Sequence, residues 1–326
     1  MAQREIGGFF ELELLKKQEY HRNALRLNKA RSALYYLLKS KQIKKIYLPY
    51  YMCSCILEPV TALKLDYELY RIDEKFYPIF NKTIGEKESF LYINYFGICS
   101  EIVSKVVTNF NNVIIDNTQA FFNFPIYRID TIYSPRKFFG VSDGGYLYTT
   151  MKIKDEFEKD QSYSRFEFLA KRIDRSASDS YPLFQENEEL LTNETIKQMS
   201  PLTQRILSSI DYEEAKNNRN DNFKYLHNQL QVINQLPLNI HHLNGPMIYP
   251  LFIHNEGIRE FLIKEYIYVA TYWKEVLDYT EKDWFEHQLT RYLVPLPIDQ
   301  RYGIDDMKYI IQTLKKILSF NPKSSR

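Results

Sequence analysis

The chain has 326 residues, of which 44% are hydrophobic and 26% are charged, values typical of a globular protein rather than a disordered or fibrous one. Lys and Arg number 43 against 41 Asp and Glu, and this net charge of +2 argues against a nucleic-acid-binding surface, which usually has a larger basic excess. The chain contains 27 Tyr and 21 Phe but only 10 Gly, so each glycine is expected where the backbone must turn or approach another group closely.

The sequence also bears on compartment and membrane association. No stretch approaches the roughly 18 to 20 apolar residues that a membrane-spanning helix needs. The first residues lack the apolar segment of a secretory signal. Cys53, Cys55 and Cys99 are too few for a disulfide framework, and they lack the second ligand pair of a zinc site. We therefore expect a cytoplasmic protein with no structural metal, no membrane association and no nucleic-acid partner.

Helix and strand patterns alternate in the first half of the chain. Strands are predicted at residues 45–49, 67–72, 89–95, 112–116, 130–134 and 146–150, and helices at residues 24–40, 54–63 and 101–109. Strands that alternate with helices in this way favour an α/β fold with a mostly parallel sheet. The apolar run from Val113 to Ile115 is typical of a strand that is buried on both faces.

The second half of the chain has a different character. Residues 151–222 have a polar, helical pattern that includes a loop-like stretch at residues 176–182, and a long helix is predicted at residues 211–233. Beyond Pro237, the pattern predicts strands at residues 247–253 and 267–273 and helices at residues 256–265 and 305–318. Because a domain typically has about 150 residues, we expect a large α/β domain at residues 1–235 and a small α+β domain at residues 236–326.

Asp116 is the first candidate for a functional residue. In an open α/β sheet, ligands bind beyond the carboxyl ends of the strands. Asp116 directly follows the apolar run 113–115, so its carboxylate is expected to be held rigidly and partly desolvated at such an end. From this position alone, capping a helix and binding a cation remain as plausible as catalysis.

Lys137 is the second candidate. It lies between a predicted strand and a turn, next to Phe138 and Phe139. Burial among aromatic rings favours a neutral amine, and a neutral amine is what Schiff-base chemistry needs. The alternative is a surface lysine whose aliphatic part covers the two rings. Three of the ten glycines, Gly140, Gly144 and Gly145, follow within a few residues, which favours a functional role for this segment.

Arg31 and Ser32 lie near a predicted helix start. Backbone N–H groups at a helix N-terminus, together with the Ser32 hydroxyl and the Arg31 guanidinium, are suited to bind a phosphate. The simpler alternative is that Ser32 only caps the helix.

These features follow one another in a fixed order: a phosphate-type helix start, then Asp116 with Gln119, then Lys137 before Gly144-Gly145. This order resembles that of fold-type I pyridoxal-phosphate enzymes. More narrowly, the chain resembles the DegT/DnrJ-type sugar aminotransferases over nearly its whole length. The matching segments are Gly7-Gly8-Phe-Phe-Glu11, Leu48-Pro49-Tyr-Tyr-Met-Cys53, Asn94-Tyr-Phe-Gly97, Asp116-Asn-Thr-Gln119, Ser134-Pro-Arg-Lys137 and Leu296-Pro-Ile-Asp-Gln-Arg-Tyr302.

The resemblance implies a three-layer large domain, a pyridoxal 5′-phosphate cofactor and a role for each matching residue. Lys137 would attach to the cofactor and then move the proton, Asp116 would pair with the pyridine nitrogen, and Gln119 would lie near the phenolic oxygen. The resemblance also implies that Arg31 and Ser32, together with Ser134, hold the phosphate. Cys53 occupies the position at which the family usually has an aromatic residue that stacks on the cofactor ring. Arg219 and Asn222 are candidates for the residues that reach the partner subunit's site.

The implied function is transamination of a nucleotide-linked keto-sugar by a homodimer, with glutamate as amino donor, in surface-polysaccharide or amino-sugar biosynthesis. Two alternatives remain open. One is a pyridoxal-phosphate-dependent sugar dehydratase, although in those enzymes, as the resemblance implies, a histidine replaces the lysine found here as Lys137. The other is a degenerate, non-catalytic member that binds a sugar nucleotide or a protein partner.

Overall fold

The computed structural model describes residues 6–151 and 156–320. Residues 1–5, on which part of the expectation about a secretory signal rests, lie outside the described residues. Within the described part of the chain, no helix is both long enough and apolar enough to cross a membrane.

The described residues contain ten strands, which form two sheets. In chain order they are β1 (Leu25–Leu27), β2 (Lys45–Pro49), β3 (Asp66–Ile72), β4 (Pro78–Ile79), β5 (Glu88–Ile93), β6 (Val113–Asp116), β7 (Asp130–Tyr133), β8 (Gly145–Tyr148), β9 (Ile248–Phe252) and β10 (Leu293–Pro297). The larger sheet has the order β1-β8-β7-β6-β5-β2-β3-β4. Its five central strands, from β7 to β3, run parallel, and the pairings of β1, β8 and β4 are antiparallel.

The described helices cover the sheet and build the rest of the chain. In chain order they are α1 (Ala30–Ser40), α2 (Leu57–Ala62), α3 (Ser100–Asn109), α4 (Glu167–Asp174), α5 (Ala177–Asn193), α6 (Pro201–Leu207), α7 (Tyr212–Leu230), α8 (Gly257–Lys264), α9 (Phe285–Tyr292) and α10 (Ile304–Phe320). Every residue of β6 is buried, because helices or loops cover both faces of a parallel sheet at its centre. The expected α/β fold with a mostly parallel sheet is confirmed.

A second apolar core lies around the antiparallel pair β9 and β10. The helices α8 and α10 supply much of it, and α7 contributes Phe223, Leu226 and Leu230. The long helix α7 therefore belongs partly to this core, although the sequence places it in the larger domain. As a result, α7 connects the large sheet to the C-terminal unit.

Two predictions of secondary structure are wrong, one in the C-terminal unit and one in the N-terminal region. Residues 267–273 form no strand, and β9 instead pairs with β10, which contains Pro295 and Pro297. Proline fits there because each strand of a two-stranded sheet has a free edge that needs no N–H donor. The helix predicted at residues 24–40 begins only at Ala30, because residues 25–27 pair with β8 as β1.

Two further boundaries differ from the sequence pattern. The loop-like residues 176–182 belong to the start of α5, where the Ser176 hydroxyl accepts a hydrogen bond from the Asp179 N–H at 3.1 Å. This cap supplies the acceptor that a helix start needs. The helix predicted at residues 54–63 is divided into a 3₁₀ turn at Ser54–Ile56 and the helix α2.

Candidate active site

A cavity of about 1480 Å³ opens where the large sheet meets the C-terminal unit. Its lining includes Ile93, Asp116 and Ile132, at or next to the carboxyl ends of β5, β6 and β7, and Pro295 and Pro297 of β10. This is the position at which open parallel sheets bind ligands.

Asp116 is the last residue of β6, and it is only 4% exposed. Its Oδ1 accepts a hydrogen bond of 2.8 Å from the backbone N–H of Thr118. Burial raises the pKa of the Asp116 carboxyl, and the positive charge of Lys137 opposes this effect. A ligand group that carries a proton on nitrogen would compensate the buried carboxylate.

Lys137 ends the 3₁₀ turn Pro135–Lys137 that follows β7. Its Nζ donates a hydrogen bond of 3.0 Å to Oγ1 of Thr118, so the short segment 116–118 holds both the carboxylate and the amine. Lys137 lines the cavity and is exposed to it, whereas Phe138 and Phe139 are buried against Phe121. Lys137 is therefore not buried among these two rings, which was the condition under which the sequence favoured a neutral amine.

Gln119 lines the cavity beside Asp116 and is buried. Its Oε1 accepts a hydrogen bond of 2.9 Å from the backbone N–H of Phe96, so Nε2 is the atom left to donate to a ligand. Ser134, which precedes the 3₁₀ turn of Lys137, also lines the cavity. The structure therefore places Asp116, Gln119, Ser134 and Lys137 in the lining of one cavity.

Ser32 occupies a different position from the one predicted. It lies on the buried face of α1 and is 2% exposed, and its hydroxyl donates to Oδ1 of Asn28 at 2.8 Å. It does not line the cavity, because Asn28 and the sheet are on its side of the helix. The prediction that the Ser32 hydroxyl holds a phosphate is therefore wrong for this arrangement.

Cations that the sequence left unassigned gather at the start of α1. Lys29 and Arg136 line the cavity together with the predicted Arg31. Burial lowers the pKa of Arg136 to about 10 and that of Lys29 to about 8, and the charge of Arg31 contributes to both shifts. The nearest signal for Arg136 in the sequence is its place in the Ser-Pro-Arg-Lys segment.

Two of these three cations are paired with carboxylates. Arg31 pairs with Glu58 of α2, and Arg136 pairs with Glu188 of α5. Lys29 donates to the carbonyl oxygens of Leu191 and Glu194 at the C-terminal end of α5, at 2.6 and 2.7 Å. The first turn of α1 contains neither a side-chain cap nor an acidic residue, so its backbone N–H groups can bind an anion.

The glycines after Lys137 explain how β8 approaches this helix start. A Cβ on Gly145 would lie 2.5 Å from the backbone nitrogen of Ala30 and 2.4 Å from the carbonyl carbon of Lys29. Gly144 has a φ of +128° and donates its N–H to the carbonyl of Asn28 at 2.6 Å. Both residues therefore need to be glycine, because a side chain at position 145 would push β8 away from α1.

Cys53 lines the cavity next to Cys55, at the 3₁₀ turn that precedes α2. The hydrogen bond from the Cys55 thiol lowers the pKa of Cys53 to about 6, and the pKa of Cys55 is raised in turn. Tyr51 is fully buried and does not reach the cavity. Tyr268, Tyr272 and Trp273 reach the cavity from the C-terminal unit, and the sequence did not indicate them.

Arg219 and Asn222 are directed into their own chain. Both side chains are buried, and both donate to backbone carbonyls of their own chain. The expectation that they reach a neighbouring site is therefore wrong. Among the described residues, no group of three or more His, Cys, Asp or Glu side chains could hold a metal ion.

The fold is similar to that of solved aminotransferase structures. A DegT DnrJ EryC1 StrS aminotransferase from Brucella abortus is similar over 90% of this chain and 85% of its own, with 12% identity and a TM-score of 0.60. The apo form of Spr1654 from Streptococcus pneumoniae, named as a sugar aminotransferase, is similar over 92% and 88%, with 15% identity and a TM-score of 0.64. Helicobacter pylori PseC, an aminotransferase involved in the biosynthesis of pseudoaminic acid, is similar over 90% and 86%, with 14% identity and a TM-score of 0.59.

At these identities, the likeness establishes the fold. The chain has the fold-type I α/β architecture of the aminotransferases, as the sequence predicts. No protein-family model matches the sequence, and no curated protein matches it.

Proposed function

We propose that this protein is a pyridoxal-phosphate-dependent aminotransferase of the DegT/DnrJ type that acts on a nucleotide-linked keto-sugar. The observation that carries the proposal is the arrangement of Asp116, Thr118 and Lys137 in one cavity with the cation-lined start of α1. The fold supports it, and the similar Spr1654 is known in a PLP form and a PMP form.

The residues of the cavity fit the chemical groups of this cofactor. The Asp116 carboxylate suits a protonated ring nitrogen, the Lys137 amine suits an aldehyde carbon, and Nε2 of Gln119 suits a phenolic oxygen. The N–H groups of α1, with Arg31 and Arg136, suit a phosphate. When bound, the cofactor supplies an electron sink for negative charge that develops at the substrate carbon.

The chain itself supplies charge, position and proton transfer. Asp116 keeps its partner nitrogen protonated, because a buried carboxylate strongly favours a nearby cation. Lys137 Nζ, held on Oγ1 of Thr118, would take the proton from the α-carbon of the amino donor and deliver it to the former aldehyde carbon of the bound cofactor. Gln119 is fixed by Phe96, so its donor keeps one direction during the reaction.

The size and lining of the cavity support a large, anionic substrate. About 1480 Å³ exceeds the roughly 300–1,000 Å³ of ordinary small-molecule sites. Arg172 and Arg301 line it and are exposed, so they can meet the phosphates of a nucleotide-linked sugar. Tyr272 and Trp273 offer aromatic surface for a sugar or base ring. Glutamate as amino donor, a role in polysaccharide or amino-sugar synthesis and a cytoplasmic location belong to the same proposal.

A homodimer is also part of the proposal. Phe9 and Phe10 are almost fully exposed near the start of the chain, and Phe124 and Tyr127 are exposed in the loop after β6. Large apolar side chains that remain exposed in a single chain are typical of surfaces that a second copy covers. Light scattering is expected to give twice the chain mass, and a monomer would contradict this part.

An absorbance spectrum tests the activity. Protein loaded with pyridoxal phosphate is expected to absorb in the visible, and glutamate is expected to remove that band as the amino group is transferred. Lys137→Ala should lose the band, whereas Lys105→Ala, on the surface helix α3, should retain it. Protein that takes up no cofactor would refute the proposal.

The non-catalytic alternative is favoured by one observation, the pairing of Arg31 with Glu58 and of Arg136 with Glu188. These carboxylates compete with a phosphate for the same guanidinium groups. Cofactor binding without conversion by any amino acid would support this alternative. The dehydratase alternative predicts loss of a sugar hydroxyl as water without net amino transfer, which mass spectrometry of the sugar product distinguishes.

A further inference from the structure

Arg219 of α7 is one of the largest fully buried side chains, at 1% exposure. Its Nη1 donates to the carbonyl oxygens of Pro246 and Met247 at 3.1 and 3.2 Å. Its Nε donates to Oε1 of Gln300 at 2.9 Å, and its Nη2 donates to the carbonyl oxygen of Phe138 at 3.4 Å. A guanidinium so far from water costs free energy unless each donor is used, and here each nitrogen has a partner.

Gln300 contacts the same backbone group. Its Nε2 donates to the carbonyl oxygen of Phe138 at 2.8 Å, so Arg219 and Gln300 converge on one oxygen. The guanidinium carbon of Arg219 also lies 4.6 Å from the centre of the Phe138 ring. Both the backbone and the ring of Phe138 are therefore fixed from the same side.

Phe138 directly follows Lys137, and its own N–H donates to the carbonyl of Pro135 at 2.9 Å. The two peptide groups on either side of Phe138 are thus held, one by Pro135 and the other by Arg219 and Gln300. Because a side chain extends from a backbone whose torsions are set by these groups, the direction of Lys137 depends on them. The contact of Nζ with Thr118 is the result.

We propose that Arg219 and Gln300 are positioning residues that hold the Phe138 carbonyl and thereby aim Lys137 at Thr118 and Asp116. The inference rests on the proposed function, in which Lys137 is the reacting amine. Gln300 lies in the segment after β10, so the C-terminal unit contributes directly to the position of a lysine on the large sheet.

A purely structural role for Arg219, joining α7 to the C-terminal unit, is the competing explanation. Asn222 offers a matched control, because it lies on the same helix and donates to the carbonyls of Ile298 and Tyr302 at 3.2 and 2.8 Å. Asn222 therefore joins the same two parts of the chain without contacting Phe138. A change at Asn222 removes two of the hydrogen bonds between α7 and the C-terminal unit but leaves the Phe138 carbonyl held.

Hydrogen exchange of the cofactor-free protein tests the inference. The amides of Phe138 and Phe139, which both donate to the Pro135 carbonyl, are expected to exchange about tenfold faster in Gln300→Leu and in Arg219→Met. Asn222→Ala should leave these amides unchanged. Gln300 is only half-buried, so Gln300→Leu gives a folded variant even if Arg219→Met does not fold. Unchanged exchange in Gln300→Leu, or equal acceleration in Asn222→Ala, would overturn the inference.

The rate at which added pyridoxal phosphate attaches to Lys137 gives a second readout. Gln300→Leu is expected to slow attachment about tenfold and to shift the pH midpoint of the visible band, and Arg219→Lys should recover part of the rate. If the wild-type protein attaches no cofactor, the proposed function fails, while the exchange rates still decide whether these residues hold the Lys137 segment. Attachment at the wild-type rate in Gln300→Leu would also count against the inference.

Discussion

His21 provides a sharp prediction about stability and pH. Its ring is fully buried, and burial lowers its pKa to about 4 from an ordinary value of 6.5. Nε2 lies 2.8 Å from the carbonyl oxygen of Phe121, which can only accept, so Nε2 carries the proton. Nδ1 then accepts from the hydroxyl of Tyr148 at 3.3 Å. The folded protein therefore holds His21 in its neutral form.

The size of the effect follows from the two pKa values. Between pH 6.5 and pH 4, the unfolded chain binds a proton at His21 that the folded chain excludes, so the free energy of unfolding falls as the pH falls through this window. For these values, the loss from pH 7 to pH 5 is roughly 2 kcal/mol, and it approaches about 3 kcal/mol below pH 4. Above pH 6.5 this contribution to stability is fully present.

Urea denaturation at pH 7, 6 and 5 measures this effect. His21→Gln is expected to lower stability at pH 7, because it disturbs two hydrogen bonds, but to lose about 2 kcal/mol less than the wild type between pH 7 and pH 5. His254→Gln, which changes an exposed histidine, should keep the wild-type slope. Equal slopes for the wild type and His21→Gln would refute the argument that burial keeps His21 neutral.

Two further predictions concern the backbone around Lys137. Gly145→Ala places a Cβ 2.5 Å from the backbone nitrogen of Ala30, so it should lower the free energy of unfolding by about 2 kcal/mol or more and weaken cofactor binding. Thermal unfolding and cofactor titration measure these two effects. Gly140→Ala is the control, because its Cβ meets only a side chain at 3.4 Å. Asp143→Ala removes the buried carboxylate that accepts from the N–H and the hydroxyl of Ser200, both at 2.8 Å, and should cost about 3 kcal/mol in urea denaturation. Wild-type stability in either variant would contradict the corresponding contact.

The alternating pattern of helices and strands was enough to predict the large sheet. Short apolar runs such as 113–115 are stable as strands only when both faces of the sheet are covered. The helices between these strands connect neighbours that pair in parallel. The C-terminal unit was harder, because residues 267–273 and β10 are both short and apolar. Pairing with β9 decided between them, and pairing is a contact between distant segments that local pattern does not contain.

The candidate site also combines features that the sequence predicts with features that only the tertiary structure sets. The positions of Asp116 and Lys137 follow from their places at the end of β6 and after β7, since parallel strands end at the same edge of the sheet. The direction of Ser32 depends on which face of α1 meets the sheet, and the exposure of Lys137 depends on Phe138 turning toward the core. Neither orientation is a property of the residue type.

The sequence by itself therefore determined the class of fold, the strand-end carboxylate, the lysine that follows it and the cluster of glycines after that lysine. Only the tertiary structure showed that Arg136 joins Arg31 at that helix, that Glu58 and Glu188 balance them, and that Arg219 holds the backbone after Lys137. The physical reason is that local patterns record backbone preference and burial, whereas charge balance and hydrogen bonding are fixed by side chains far apart in the chain that folding brings together.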